Sequence, residues 1–594
     1  MIRDMTKLRI IGPKTRMPDI ISDLHKLKVM HIIEGQSDEA NQGKPMMEAE
    51  QLSVSLIKLR AVISQLKIKP SEEHKPEKLA KIIKTVDFIA KTLKAANESL
   101  KSADEIEKKG NTIIAHLNVL KALDIKEKTE FETIDVFVGY IKDAVKFKES
   151  LLKKTDRFLL KTVNGAISLF IDKRFSDDAG HILSSNQFSQ IPLTFEDRNE
   201  VLQAISKAKT DRKEALIKID LIRKTYADIL PSYERMLSQE LTKAEAPLKF
   251  IETDEAFLIW GFAPKARAQS MIQSLMHRAH NNLFIEEREI EKYDQIPVSL
   301  DNPRKVKDFE SLLSLYSLPK YKEIDPSWFL FLTFPLLFGF MLGDMGYGIT
   351  TAILFYILKK KMPNAGGFFN VLILSSFASI FFGIVFGEFF GLELYHPLLN
   401  RNPEHGLEPL MITAIAVGVL HINAGLIAGF INEFRAHGLK AAIFEKFSWI
   451  VLEISVAVLA LSYTQILSKV WGLTAGYLLL AMAVFMLYKG EGVKGIVELP
   501  SIFGNILSYV RLMAIGVASV GLALVVNEFA VGFFQKGGLF IAAGVLILVV
   551  GHIINIGLGL LGCFLHTLRL HYVELFSKFY KGGGVAFKPF GEQN

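Results

Sequence analysis

From about Trp328 onward the chain is a succession of apolar runs long enough to cross a bilayer, and no other feature limits its folding as strongly. Inside hydrocarbon each backbone N–H and C=O must be satisfied within the protein, so runs of this length and composition have to be helices. Eight spans fit, near 328–342, 345–358, 367–391, 409–431, 446–465, 472–488, 501–533 and 538–579. Before Pro326 no apolar run is long enough to cross, and Lys and Glu dominate. The 594 residues, 50% of them hydrophobic, therefore read as two unlike halves: a soluble domain over 1–325 and a membrane domain over 326–594.

Charge sets the expected orientation. Met1 to Lys28 carries Arg3, Asp4, Lys7, Arg9 and Lys14, which is no cleavable apolar leader, so the amino terminus is expected in the cytosol. The even-numbered connections then hold Lys359, Lys360 and Lys361, next Arg435, Lys440 and Lys446, next Lys489 and Lys494. The tail holds Lys578, Lys581 and Lys588, whereas the external connections hold only Arg401, Lys469 and Lys536. This positive-inside asymmetry predicts a cytoplasmic carboxyl terminus as well. The net charge of +7 does not point to nucleic acid, because Lys and Glu interleave along helical stretches rather than forming a basic patch with aromatics. A single cysteine, Cys563, rules out an internal disulfide and reads as a packing residue.

In the soluble half, Lys7 to Gly12, Pro18 to Leu27 and Lys28 to Glu34 predict strand, helix, strand. The same order recurs at Phe257 to Phe262, Arg267 to Asn281 and Leu283 to Glu287, so 1–45 and 246–300 are expected to fold together as a proximal lobe. Ile134 to Ile141 and Ala166 to Asp172 are β-rich and mark a distal lobe over 129–196. Leu52, Leu56, Leu59, Ile63 and Leu66 alternate steps of four and three, the spacing of a coiled-coil seam. A returning stripe runs through Val201, Ile205, Ala208, Ala215, Ile219, Ile222, Tyr226 and Ile229, with Pro231 after it. The predicted fold is an α-helical membrane protein carrying an α+β two-lobed domain, its lobes joined by long antiparallel coiled-coil arms over 46–128 and 197–245.

Two arginines lie inside apolar helices, Arg511 and Arg569. An Arg at the centre of a spanning helix costs about 2.5 to 3.5 kcal/mol even on the lenient insertion scale, so a chain that keeps two has a use for them. The bland alternative is snorkelling, which fits Arg569 better because His571, Glu574 and Lys578 follow it. Gly504, Ser508, Ala514 and Ala518 fall at helical spacings around Arg511 and make a narrow face that lets another helix come close. A guanidinium there cannot lose its proton and would hold a partner helix's carboxylate in its charged form. Ordinary helix packing is the plainer reading of the same face. In the last span His552, Asn555, Gly559, Gly562, His566 and Arg569 form one stripe. Each alone reads as an interhelical hydrogen bond, and the six together favour a water-filled path. Asp344, Glu388, Glu453 and Glu498 sit in or at the ends of apolar segments, where each either lines an access path or pairs with Lys or backbone. The GLGLLG at 557–562 fits a dinucleotide fingerprint, but it lies in a spanning helix with no strand before it. There is no phosphate loop and no spacing for a metal site, so no cofactor, metal or catalytic centre is expected in this chain.

FGFMLGDMGYG at 338–348, LSYVRLMAIGVA at 507–518 and LHTLRLHYVELFSKFYKGGG at 565–584 resemble the subunit a family of vacuolar-type ATPases, called subunit I in prokaryotic A/V-type rotary ATPases. The likeness covers the whole chain in architecture, and the last motif is the most specific. It implies a non-catalytic stator subunit in the cell membrane, its soluble domain cytoplasmic. Implied partners are a rotating proteolipid c/K ring, E/G-type peripheral stalks, a C/d-type subunit associated with the central stalk, and the bilayer; ATP would bind on another chain. By motif, Arg511 and Arg569 face the ring and His566 lies near the ion path. Eukaryotic members resemble one another in a Glu ten residues before the second arginine, where this chain has Gly559. That departure leaves the external half-channel to other groups, with His552, Asn555 and Glu528 as candidates. Two half-channels would end at the ring at different points, with Arg511 between them. Whether protons or sodium ions move, and whether ATP is made or hydrolysed, are not written in this chain. A self-contained secondary transporter is the main alternative class, but the spans show no evident inverted repeat and the stalked domain would be idle. The other is a structural membrane scaffold with both arginines snorkelled.

Overall fold

A computed structural model describes residues 1–35, 41–68, 77–125, 131–193, 196–291, 294–401 and 407–591. The chain divides into two units, one of residues 43–248 and one of residues 1–42 with 249–594.

In the first unit, Ala49–Leu66 stops where Lys67 takes a left-handed φ of 52°. Leu79–Ala122 follows, a helix of 44 residues and about 66 Å at 1.5 Å per residue. It runs antiparallel to Arg198–Tyr226: Gly110 lies against Val201 and Ile205, and Arg212 reaches back to Asp104 and Glu107. Leu230–Glu245, entered through Pro231 in its first turn, packs on Ala49–Leu66. The buried seam is Leu52, Leu56, Leu59, Val62 and Leu66, and Ile63 is only partly buried. The strict heptad put Ile63 in the seam; this helix packs on both Leu230–Glu245 and Leu79–Ala122, so its buried face is wider than one seam and takes in Val62. A four-stranded antiparallel sheet completes this unit, in the order Phe158–Val163, Ala166–Asp172, Ile134–Tyr140, Ser189–Gln190. Its tight hairpin turns on Asn164 and Gly165, both at positive φ, the pairing that a two-residue Asn-Gly turn requires. Phe147 and Leu151 from one helix and Ala179 and Leu183 from another pack with Ile167, Leu169 and Ile171 of the sheet. The predicted junction between the first arm and the distal lobe, at 128 and 129, lies outside the described residues.

In the second unit, strands from 5–33 and from 256–288 share one sheet. Met5–Pro13 pairs with Phe284–Arg288 on one side and Ala256–Pro264 on the other, and His31–Ile33 pairs with Ala256–Pro264. The tail returns to this sheet: the Phe587 and Phe590 amides donate to the Val298 and Met30 carbonyls, and the Lys588 amide donates to His31 Nδ1 at 2.9 Å.

Eight longer helices form the apolar part: α1 Ser327–Leu342, α2 Met345–Lys361, α3 Gly366–Phe386, α4 Glu408–His437, α5 Ser448–Tyr463, α6 Lys469–Glu491, α7 Val510–Phe534 and α8 Phe540–Arg569. Among the described residues, five stretches are long and apolar enough to cross a membrane, at 363–386, 408–437, 469–491, 493–534 and 540–578. The 16 residues of α1 make about 24 Å, short of a hydrocarbon core of about 30 Å. The third predicted span, 367–391, ends early: Gly387 at φ 68° stops α3, and Glu388–Phe389 folds back on Leu392–Glu393. The seventh is interrupted, because Leu499–Leu507 meets α7 through a turn at Ser508 and Tyr509. α2 packs on α3, α5 on α6, and α7 on α8, while α1 touches α3, α7 and α8.

Candidate functional site

Arg511 stands in the first turn of α7, just past the turn, rather than deep in a continuous helix. Its Nη1 lies 4.0 Å from Glu574 Oε1, with side-chain exposures of 19% and 2%. That separation is a charge contact and not a hydrogen bond. Among the described residues, Arg511 Nη1 and Glu574 Oε2 are buried with no hydrogen-bond partner. Around Arg511, Gly504, Ala514 and Ala518 are exposed and Ser508 is half-buried, its hydroxyl donating to the Gly504 carbonyl. The small face predicted from spacing is thus left open, although its first two members precede α7. On α8, Gly557, Leu558, Leu561, Leu565 and Arg569 are exposed and His566 is half-buried. Arg569 makes no hydrogen bond or ion pair among the described residues, and its charge acts on both Arg511 and Glu574.

Glu574 belongs to a π-helical turn, Leu570–Leu575, that continues α8. Turns of this kind widen the helix and shift its register, and they recur at functional sites. His571 in the same turn donates from Nδ1 to the Thr567 carbonyl at 2.8 Å. A carbonyl can only accept, so Nε2 of the neutral ring is left as the acceptor and faces the Thr333 hydroxyl at 2.7 Å, a hydroxyl that also donates to the Phe329 carbonyl at 2.7 Å. Thr333 in turn accepts from His421 Nε2 at 3.1 Å, and His421 Nδ1 accepts from the Tyr509 hydroxyl at 2.6 Å. These polar contacts thus tie the turn before Arg511 to the turn bearing Glu574, through α4 and α1. They brace these elements against one another.

A second polar cluster surrounds His552. Asn555 Nδ2 donates to the Tyr347 hydroxyl at 2.8 Å, which leaves the Tyr347 proton for His552 Nδ1, also at 2.8 Å. His552 Nε2 donates to Asn527 Oδ1 at 3.1 Å, and Asn527 Nδ2 donates to the Phe390 carbonyl at 2.9 Å. Gly559 is buried against Leu342 and Ser519. The α8 stripe therefore runs from buried at His552 and Asn555 to exposed at Arg569.

The carboxylates have separate fates. Asp344 caps α2, accepting from the Tyr347 amide at 2.9 Å and from the Phe390 and Gly391 amides at 3.0 and 2.8 Å. Glu388 pairs with Arg401 at 3.1 Å, with side chains 7% and 1% exposed. Arg401 also donates to the Gly343 and Met341 carbonyls at the end of α1. Sequence reading placed Arg401 in an external connection; the structure buries its side chain, and Gly343 and Gly516 make the room, since a Cβ at either would overlap the guanidinium. Glu453 accepts from Asn423, and its other oxygen is buried without a partner among the described residues. Glu498 is half-exposed beside Lys494 at 3.6 Å, and Glu528 is exposed on α7. What sequence reasoning missed is Glu574 as the neighbour of Arg511. Five positions separate it from Arg569, off the three-to-four spacing of an α-helical face, and only the wider turn brings it inward.

The profile of the V-type ATPase 116kDa subunit family matches residues 183–396 and 501–591. An A-type ATP synthase subunit I of Archaeoglobus fulgidus is 30% identical over 99% of this chain and 98% of that protein. One of Methanocaldococcus jannaschii is 30% identical over 85% of this chain and 82% of the relative. A V-type ATP synthase subunit I of Borreliella burgdorferi is 25% identical over 64% and 67%. On these matches, carried by the segments that hold Asp344, Arg511, Glu574 and Arg569, the chain belongs to the V-type ATPase 116kDa subunit family.

Proposed function

We propose that this chain is the membrane stator of a rotary A/V-type ATPase or ATP synthase, coupling translocation of protons or sodium ions to ATP made or hydrolysed on other subunits. The observation that carries the reading is a buried guanidinium nitrogen of Arg511 with no hydrogen-bond partner among the described residues, next to an open face of small residues. A permanently charged donor left unsatisfied in a low-dielectric setting is costly, and a ring carboxylate brought against that face would satisfy it. Arg511 then favours ion release from each arriving carboxylate and blocks direct passage between two half-channels.

In this reading the eight helices α1 to α8 all cross or enter the membrane, and the soluble domain and the tail lie in the cytoplasm. Arg569 and His566 stand beside Arg511 on the ring side. The half-channel toward the outside runs by His552, Asn555 and Ser519, with Asp344 and the Glu388–Arg401 pair as its frame. The half-channel toward the cytoplasm runs by Glu453, Glu498 and Ser508. The antiparallel helices of the first unit act as coiled-coil arms that carry peripheral stalks and resist torque. Each charge moved across the potential is worth about 2.3 kcal/mol per 100 mV, so several ions balance one ATP.

The test is ATP-driven ion uptake by inverted vesicles holding the assembled complex, parent against Arg511→Ala at matched assembly. Uptake is expected to vanish with the complex intact. Uptake near the parental level would remove Arg511 from the coupling role.

A further inference from the structure

Resting on that reading, we propose that Glu574 is the resident counter-carboxylate of Arg511, pairing with the guanidinium whenever a ring carboxylate departs and yielding it when the next arrives. Glu574 is 2% exposed, and its nearest cation in the fold is Arg511, 4.0 Å away. That distance exceeds a charge-assisted hydrogen bond by about 1 Å, a gap the three side-chain torsions of a glutamate close without backbone movement. Both facing groups keep a buried atom unused among the described residues, Nη1 on one and Oε2 on the other. A fold that wanted a permanent ion pair would close such a gap; held open, it suits a contact that is made and broken.

The charge count agrees. Arg511, Arg569 and Glu574 interact, two cations with one anion, which leaves one positive charge for a single incoming carboxylate. A guanidinium carries five N–H donors on a planar fork and can share them between two carboxylates, so exchange passes through a shared state rather than a bare charge. The surroundings are stiff where exchange needs a fixed reference. Tyr509, two residues from Arg511, and His571, three from Glu574, are opposite ends of the polar contacts through His421 and Thr333. The side chains can move while the two backbones hold their spacing. Without Glu574 the guanidinium would be undivided, the ring carboxylate would be held longer as its anion, and its ion would be reloaded less readily.

The experiment uses the assembled complex in inverted vesicles and compares the parent with Glu574→Gln, Glu574→Asp and Arg511→Ala. It measures ATP-driven uptake, ions taken up per ATP, and the ion dependence of rate. Glu574→Gln keeps the shape and removes the charge. It is expected to slow maximal uptake about tenfold with ions per ATP unchanged, and to raise the half-saturating ion concentration about tenfold, which for protons is one unit toward lower pH. Glu574→Asp, with the charge kept, is expected to recover most of both. Parental rate and ion dependence in Glu574→Gln, beside an inactive Arg511→Ala, would overturn the role of Glu574 and leave the stator reading in place. Equal slowing in Gln and Asp variants with unshifted ion dependence would make Glu574 a packing residue. Failure of Glu574→Gln to assemble, beside an Asp variant with parental kinetics, would make it a structural ion-pair partner. Full uptake by Arg511→Ala would remove the stator reading and this inference with it.

Discussion

The two polar regions of the helical bundle are built from similar side chains and finished differently. Around His552 the donors and acceptors of Asn555, Tyr347, His552 and Asn527 are matched in order, and the nearby Arg401 guanidinium is shared among Glu388 and two carbonyls. Around Arg511 a braced frame surrounds a guanidinium and a carboxylate that each keep a buried atom without a hydrogen-bond partner among the described residues. A buried polar group that the fold satisfies contributes to architecture, and one that the fold leaves open, at a cost of several kcal/mol for a charge, points to something arriving from outside the chain.

Stability measurements can break this contrast. The largest effect is expected for Arg401→Ala, which strands Glu388 and two carbonyls and should cost about 3–5 kcal/mol, read as a lower midpoint of thermal or denaturant unfolding of the purified subunit. Tyr347→Phe removes the hydroxyl between Asn555 and His552 and should cost about 1–3 kcal/mol in the same assay. Arg511→Ala should change stability least, by under about 1 kcal/mol, because the guanidinium it removes stands 4.0 Å from Glu574 and its buried Nη1 makes no hydrogen bond among the described residues. If Arg511→Ala destabilised the subunit as much as Arg401→Ala, the two regions would be alike and the distinction would fail.

How much of this was legible in the sequence follows the same division. Length and apolarity announce spanning helices, and strand–helix–strand order before Pro326 shows in alternation and punctuation, because both are local properties of the chain. Arg511 and Arg569 stand out because charge in an apolar run is itself a signal. Pairing across the fold is not local. Arg401 reads as a charge in an external connection until Gly343 and Gly516 are seen to admit it, and Glu574 reads as an interfacial residue until the π-helical turn shifts its register. The burial of Val62 beside Ile63 in Ala49–Leu66 depends on a second helix packing on its flank, which a heptad count along one helix does not see. Asp344 is an acidic residue in an apolar context by sequence, and a helix cap only once the Phe390 and Gly391 amides come round to it.

The central claim is that the open face beside Arg511 is where the rotating ring runs, and zero-length or disulfide cross-linking in the assembled complex tests it most directly. Cysteines are placed at Ala518 on that face and at Phe377, which is 58% exposed on α3, and each is paired with cysteines walked along the outer helix of the ring. Cross-links from Ala518→Cys and none from Phe377→Cys are the expected result. Cross-links from Phe377→Cys with none from Ala518→Cys would place the ring on another side of the bundle and contradict the account.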